Sequence, residues 1–488
     1  EGLYVRAIEH SHQVSVFSTL PLIRDTAVVE AEGEFDPRAF IESRLRHANE
    51  PVGSTLRTGG PTRFREDEWR VTGGVRKHTW TGADIELSQR VGVVDSNSLF
   101  FVPDDQAQTE LSLSVTQPLL NRAGLEYNRS TVRIARLDGE IAMEEFRRQV
   151  GAHLLELTRA YWALYLQRGA LVIRTRLAEE TRTLLERLQS RRGVDTLESQ
   201  VLKARAALAA READTIRAAA AVRNAEARIA SLVNDPDVQL VDGVELVPVL
   251  APQGVRKQVE LDQAARFALD NRAEIIEAVK QLQAGMVRLQ MSESELLPVL
   301  DLLMEVSWQG LEGRSSTGRA LRTQVDADGP SWTVGLLLDV PLGNRVANAR
   351  HERRRLEVRQ LTDQLRATVE TLLLEVQVAV REVNVGWREQ HARYHAMQAR
   401  GAELEGLEQR GVLGADSPAL GGLLVDELLG AQERLRDSEH AFLEAQVSYS
   451  LALANLDRAM GLMLQARDYR LERGADADGL PTLDLRAP

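Results

Sequence analysis

His391 and His395 stand four residues apart in a segment of helical periodicity, the spacing that lets two imidazoles on one helix face clamp a metal. A zinc hydrolase also needs a Glu directly after the first His, and Ala392 stands there, so the pair reads as part of a solvated face. The run from Gly310 to Gly318 is glycine-rich, but it has no Lys to reach a phosphate and lies between two alternating segments, as an external hairpin loop would. Serines and aspartates are plentiful, yet no nucleophile elbow occurs. Asn128-Arg129-Ser130 matches a glycosylation sequon but falls within a helical pattern, where it means little. The absence of cysteine removes disulfides, thiolate metal sites, Cys nucleophiles and an N-terminal lipidated Cys. The expectation is a protein without a catalytic, cofactor or metal site, and not an enzyme.

The elements around these residues belong to a different kind of molecule. Of 488 residues, 43% are hydrophobic, only 5% aromatic and 27% charged, and the long middle segments are rich in Ala, Leu, Glu, Arg and Gln. That balance belongs to long helices and coiled coils. A net charge of −12 gives no electrostatic basis for nucleic-acid binding. The opening Glu1-Gly2-Leu3-Tyr4 has neither the basic start nor the apolar core of a signal peptide, as in a processed chain or a cytosolic one. No run of about 18 apolar residues exists to form a transmembrane helix. A membrane-spanning β-barrel stays open, because its strands are short and only alternately apolar.

The chain states one pattern twice. Leu113 to Arg122 is echoed by Leu336 to Arg345, each an alternating segment, then Pro-Leu, then Asn-Arg, then a helical pattern. Proline cannot continue a ladder and suits a helix start, so each copy predicts a strand running into a helix. Heptads fill the helices. Leu428, Leu435, Phe442, Tyr449, Leu456 and Met463 recur every seven residues, with small partners at Ala431, Ser438, Ala445, Ala452 and Ala459. Val201, Leu208, Thr215, Val222 and Ile229 repeat this in the first half, with Ala204, Arg211, Ala218, Ala225 and Leu232. Alternating large and small seam residues lets helices approach closely. The preceding helix carries Met143, Val150, Leu157, Leu164, Leu171, Ala178 and Leu185, and no proline interrupts Asn121 to Arg191 or Asn344 to Gln409. A helix from 121 to 191 would be about 100 Å long. A fibrous coiled coil would show the same helices.

Four segments alternate with period two, around Ile85 to Val91, Leu111 to Val115, Leu300 to Trp308 and Trp332 to Val340. Their length suits tilted transmembrane strands, with the apolar row outward and the polar row inward. The inward row is Glu86, Ser88, Arg90, Ser112, Ser114, Thr116, Asp301, Glu305, Thr333 and Asp339, and Gln89 breaks the outward one. A soluble half-buried sheet gives the same alternation. Four strands cannot enclose an aqueous pore, so a barrel would need several copies, and three would supply twelve strands.

Strand, strand, long helix and returning helix, stated twice, resembles the TolC-type outer-membrane efflux protein family. Thr116-Gln117-Pro118-Leu119-Leu120 and Val340-Pro341-Leu342 match its strand-to-helix junctions. Tyr449, Leu451-Ala452, Leu456, Arg458-Ala459 and Gly461 resemble the ending of its last long helix, and Leu424 to Gln432 its Leu-Leu-Asp-x-Leu-x-Ala-Gln stretch. The likeness covers about Ile85 to Met463. It implies a mainly α protein with a small β part. It also implies a homotrimeric channel-tunnel with a long α-helical barrel, a twelve-stranded transmembrane β-barrel of four strands per protomer, and two internal repeats. The implied place is the outer membrane of a Gram-negative-type bacterium, in contact with its lipid and extending into the periplasm, with the signal peptide already removed. The implied partners are a periplasmic adaptor (membrane fusion) protein and an inner-membrane pump, in efflux or type I secretion, with no cofactor.

On that reading 1–82 is an N-terminal segment and part of an equatorial belt, with Asp36 to Asn49 a candidate for the belt's first helix. Residues 83–117 form the first barrel hairpin and 118–234 the first helical hairpin. Residues 235–296 are a mixed equatorial segment that starts the second repeat, 297–340 the second barrel hairpin, 341–464 the second helical hairpin and 465–488 a tail. The periplasmic tip and gate would contain Arg192, Gly193, Asp195, Gly414 and Asp416. Threefold symmetry would turn each aspartate into a ring of three carboxylates, although Asp also serves as an ordinary turn or cap residue. The competing reading is a structural coiled-coil or scaffold protein of the cell envelope, which would not need amphipathic strands at the strand-helix junctions.

Overall fold

The computed structural model describes residues 2–191, 198–238, 245–326, 329–413, 418–464, 470–475 and 481–486. In chain order the elements are α1 (Gly2–His10), α2 (His12–Glu32), β1 (Arg38–Pro51), β2 (Arg63–His78), β3 (Asp84–Ser96) and β4 (Asp105–Pro118). There follow α3 (Gly124–Asn128), α4 (Ser130–Ser190), α5 (Glu198–Val233), α6 (Leu261–Asn271) and α7 (Ala273–Ser294). The chain continues through β5 (Val299–Gly313), α8 (Thr317–Val325), β6 (Ser331–Asp339), α9 (Arg345–Leu413) and α10 (Pro418–Ala459). It closes with β7 (Arg470–Ala475) and β8 (Pro481–Arg486). The chain divides into one unit of 1–22, 141–278 and 364–488, and another of 23–140 and 279–363.

The second unit holds one antiparallel sheet in the order β1-β2-β3-β4-β5-β6. The four alternating segments all lie in it, as β3 to β6, but the sheet has six strands and not the four expected per protomer. The additional pair comes from the segment assigned to an equatorial belt, and Asp36 to Asn49 contains a strand where a helix was expected. The physical reason is a shared period. Ile41 and Leu45 are four apart, which satisfies both a helix and a strand, and Ala48 then favours the helical count. Read with period two, Ala39, Ile41, Ser43 and Leu45 share one face and Arg38, Phe40, Glu42 and Arg44 the other. The β2 partner was hidden by Gly73-Gly74. Gly74 leaves room for the Phe40 ring, whose nearest atom would stand 2.9 Å from a Cβ there, and the Arg76 guanidinium caps that ring at 4.0 Å.

The first unit is built from the long helices. The 61 residues of α4 make a helix of about 90 Å and the 69 of α9 one of about 100 Å. Each heptad seam falls on the buried side. In α4, Val150, Leu157, Leu164, Ala178 and Leu185 are buried. Val201, Ala204, Arg211, Ala218, Val222, Ile229 and Leu232 are buried in α5. In α10, Ala431, Ala445, Tyr449, Ala452, Leu456 and Ala459 are buried. Leu157, Ala160 and Leu164 of α4 pack on Val222, Ile229 and Leu232 of α5, and Val376, Val380 and Val383 of α9 on Tyr449, Ala452 and Leu456 of α10. Close approach is helped by Gly386, whose missing side chain faces Tyr449. An extended strap around 246–257 is tied to these helices by hydroxyls. Tyr161 bonds both backbone groups of Leu250, and Tyr449 accepts from Lys257 N at 3.0 Å and donates to Val255 O at 3.1 Å. The tail contains a small sheet of β7 and β8. Among the described residues no helix is long and apolar enough to cross a membrane.

Candidate channel-lining face

Residues opposite one another in an antiparallel sheet share a face, so the register decides which side chains belong together. Glu86 pairs with Ser114, Ser114 with Glu305 and Glu305 with Thr333. Ser88 pairs with Ser112, Arg90 with Glu110, Thr116 with Leu303, Asp301 with Pro118 and Asp339 with Val299. All ten residues of the expected polar row therefore lie on one face, interrupted by Leu303 and Leu337. β1 and β2 extend it, since Arg76 pairs with Glu86 and Arg38 with Arg76. The face is stitched by polar contacts across strands. The Ser88 and Ser112 hydroxyls are 2.9 Å apart, Arg76 donates to Glu86 at 2.7 Å, and Arg90 donates to Glu110 at 2.5 Å.

The other face is apolar. Leu113 opposes Val306, Val115 opposes Met304, and Leu302 and Leu300 oppose Leu336 and Leu338. Ile41, Leu45, Trp69 and Val75 continue this side on β1 and β2, and Ile41 and Leu336 are 80% and 68% exposed. An aqueous surface rarely carries so broad an apolar area. Helix α8 covers part of it. Gln89 and Gln324 exchange amide hydrogen bonds at 3.1 and 3.0 Å, and Thr109 donates to Ala320 O at 3.1 Å. This explains the polar break at Gln89. It also revises the glycine-rich segment, because Gly310 to Gly313 belong to β5 and the loop carries a helix. At Gly310 a Cβ would lie 2.0 Å from Ala320 O, so only glycine admits α8 here.

The twice-stated Pro-Leu and Asn-Arg motifs form a knot at the ends of the strands. Asn121 donates to Leu297 O at 2.9 Å, and its counterpart Asn344 donates to Leu296 O at 3.0 Å. Both repeats thus grip the same turn before β5. Left-handed backbone at Arg122 and Gly124, and at Gly343 and Asn344, redirects the chain from strand to helix. Glu295 in that turn accepts from Tyr127 at 3.0 Å and from Arg350 at 2.5 Å. Burial pushes the Glu295 carboxyl up, but the hydrogen bonds from Arg350 and Tyr127 outweigh it and hold the carboxyl below its ordinary value. Burial and then the Glu295 hydrogen bond push the Tyr127 phenol up to about 12. Sequence reasoning saw these motifs but not the turn they share.

His391 and His395 are exposed, with their Nε2 atoms 3.2 Å apart. Among the described residues no group of three or more His, Cys, Asp or Glu is placed to hold a metal. Arg192, Gly193, Asp195, Gly414 and Asp416 lie outside the described residues.

No protein-family model and no curated protein matches this chain. Solved structures do. The CmeC outer membrane channel of Campylobacter jejuni superposes with a TM-score of 0.65 at 13% identity, over 95% of this chain and 85% of its own. The chain has the fold of outer-membrane channel proteins. The outer-membrane channel OprN gives 0.67 at 16% identity, over 94% of this chain and 89% of its own. The outer membrane protein VceC of Vibrio cholerae gives 0.65 at 16%, over 94% and 95%. These neighbours are channel and outer-membrane proteins, not enzymes.

Proposed function

We propose that this chain is one protomer of a homotrimeric outer-membrane exit duct, the passive outer-membrane component of a tripartite efflux or type I secretion assembly. The observation that carries the reading is the two-faced sheet. Its polar face continues in register across six strands, broken only locally by apolar residues such as Leu303 and Leu337, its apolar face is largely uncovered, and the longest of the other described elements are helices. A scaffold coiled coil has no use for such a sheet. In this reading the apolar face meets outer-membrane lipid and the polar face lines the lumen. The helices of three copies form a periplasmic barrel whose tips meet a periplasmic adaptor protein and an inner-membrane pump. The net charge of −12 again argues against nucleic acid as a partner. Asp195 and Asp416 would form the carboxylate rings of the gate. The fold of the channel neighbours supports the whole. Native mass in detergent tests it: three times 54.2 kDa supports the duct, and a detergent-independent soluble monomer or dimer refutes it.

A further inference from the structure

We propose that the barrel of this duct has eighteen strands, six from each of three copies, closed by pairing β1 of one copy with β6 of the next. The inference rests on the trimeric reading above and departs from the twelve strands expected there. β1 and β6 are the two edges of the sheet. An open edge of unpaired N–H and C=O groups cannot stand in lipid, so each must find a strand. The six strands alternate in direction. β6 of one copy therefore meets β1 of its neighbour antiparallel, as an even count per copy requires.

The first hairpin is shaped as barrel wall. β1 and β2 keep the face assignment of the other four strands, with Ile41, Leu45, Trp69 and Val75 on the lipid side and Arg38, Glu42, Arg70 and Arg76 on the lumen side. Ile41 and Leu45 are 80% and 78% exposed in one copy, which suits lipid and not water. Barrel diameter grows roughly linearly with strand number, so the bore is about one and a half times that of a twelve-stranded barrel. The outer-membrane section then admits bulkier cargo than a twelve-stranded duct would.

The chain's lack of cysteine gives a clean test. Glu42→Cys or Arg44→Cys on β1 is combined with Ser331→Cys or Thr333→Cys on β6, all on the polar face, and the detergent-purified protein is oxidised with copper phenanthroline. At least one of the four pairs is expected to shift the denatured band from 54.2 kDa to three times that mass. A Glu86→Cys/Thr333→Cys pair, which would link only if β3 were the closing edge, stays at single-chain mass. A native trimer in which no β1–β6 pair links, or in which the Glu86 pair does, overturns the eighteen-stranded barrel and leaves the duct standing. Absence of a trimer sinks both. End-on electron cryomicroscopy of the unmodified trimer, independent of any substitution, should count eighteen strands, and twelve would refute the proposal.

Discussion

Arg211 sits on the heptad seam of α5, where its neighbours in the repeat are small or aliphatic, and it is only 4% exposed. Its guanidinium ties three helices together. One nitrogen donates to the Thr181 hydroxyl of α4 and, at 2.9 Å, to the Gln432 amide oxygen of α10. Another donates to Leu429 O at 3.2 Å, and Nε has no partner. Burial pulls its pKa down, and the nearby Glu433 carboxylate only partly compensates. Truncation to Ala strands the buried Gln432 oxygen, at about 1–3 kcal/mol, whereas Thr181 keeps its bond to Leu177 O at 2.6 Å. Loss of the apolar stem adds a cavity of about 1–2 kcal/mol. Relief of a desolvated charge offsets part of both. Arg211→Ala should therefore cost about 2–4 kcal/mol and Arg211→Met, which keeps the stem, about 1–2 kcal/mol. Arg211→Met with Gln432→Leu removes both polar ends and should return to within about 1 kcal/mol of the parent protein. Denaturant unfolding followed by helical circular dichroism, in one detergent, measures all three. A neutral Arg211→Met together with strictly additive double-mutant behaviour would show that this network does not couple the two helical hairpins.

On the sheet, Leu302→Arg or Leu336→Arg should cost about 2–4 kcal/mol in membrane assembly near the midplane, while Ser114→Arg or Thr333→Arg should assemble and alter conductance. Similar assembly yields for the two sets would reverse the face assignment. On the α10 seam, Ala445→Leu or Ala452→Leu should overpack and cost about 1–3 kcal/mol by trimer melting, and exposed Glu444→Leu should be mild; equal tolerance at all three would deny the large-small seam. Glu295 has a depressed folded-state pKa, so its contribution is complete above the unfolded carboxylate value and is lost as pH falls through the folded one. Glu295→Gln should cost about 1–3 kcal/mol at neutral pH and flatten the acid limb of the stability profile, whereas an unchanged acid limb would remove the junction knot from the account. Asp195→Ala with Asp416→Ala should lower cation selectivity and weaken block by multivalent cations from the periplasmic side, and unchanged values in an intact trimer would leave both as turn formers.

Long-range regularity was the legible part of this chain. Heptads in α4, α5 and α10 and the polar row of β3 to β6 could be read because a periodic stripe that must share one face leaves the same mark at every repeat. β1 escaped because Ile41 and Leu45 satisfy two periods at once, and β2 because Gly73 interrupts its apolar side and Gly74 its polar side. Gln89 looked like a defect until α8 supplied Gln324, a contact 235 residues away along the chain. Asn121 and Asn344 were visible as a repeated motif, but their common acceptor turn at 295–297 is a tertiary fact with no local signature.

The central claim is that copies of this chain form a water-filled path through a membrane. Single-channel recording after adding the detergent-purified trimer to a planar lipid bilayer tests it most directly. The account predicts discrete, uniform conductance steps that persist in symmetric salt and change when Thr333→Arg places a guanidinium in the lumen. A bilayer that stays silent over a range in which the trimer demonstrably inserts would contradict it.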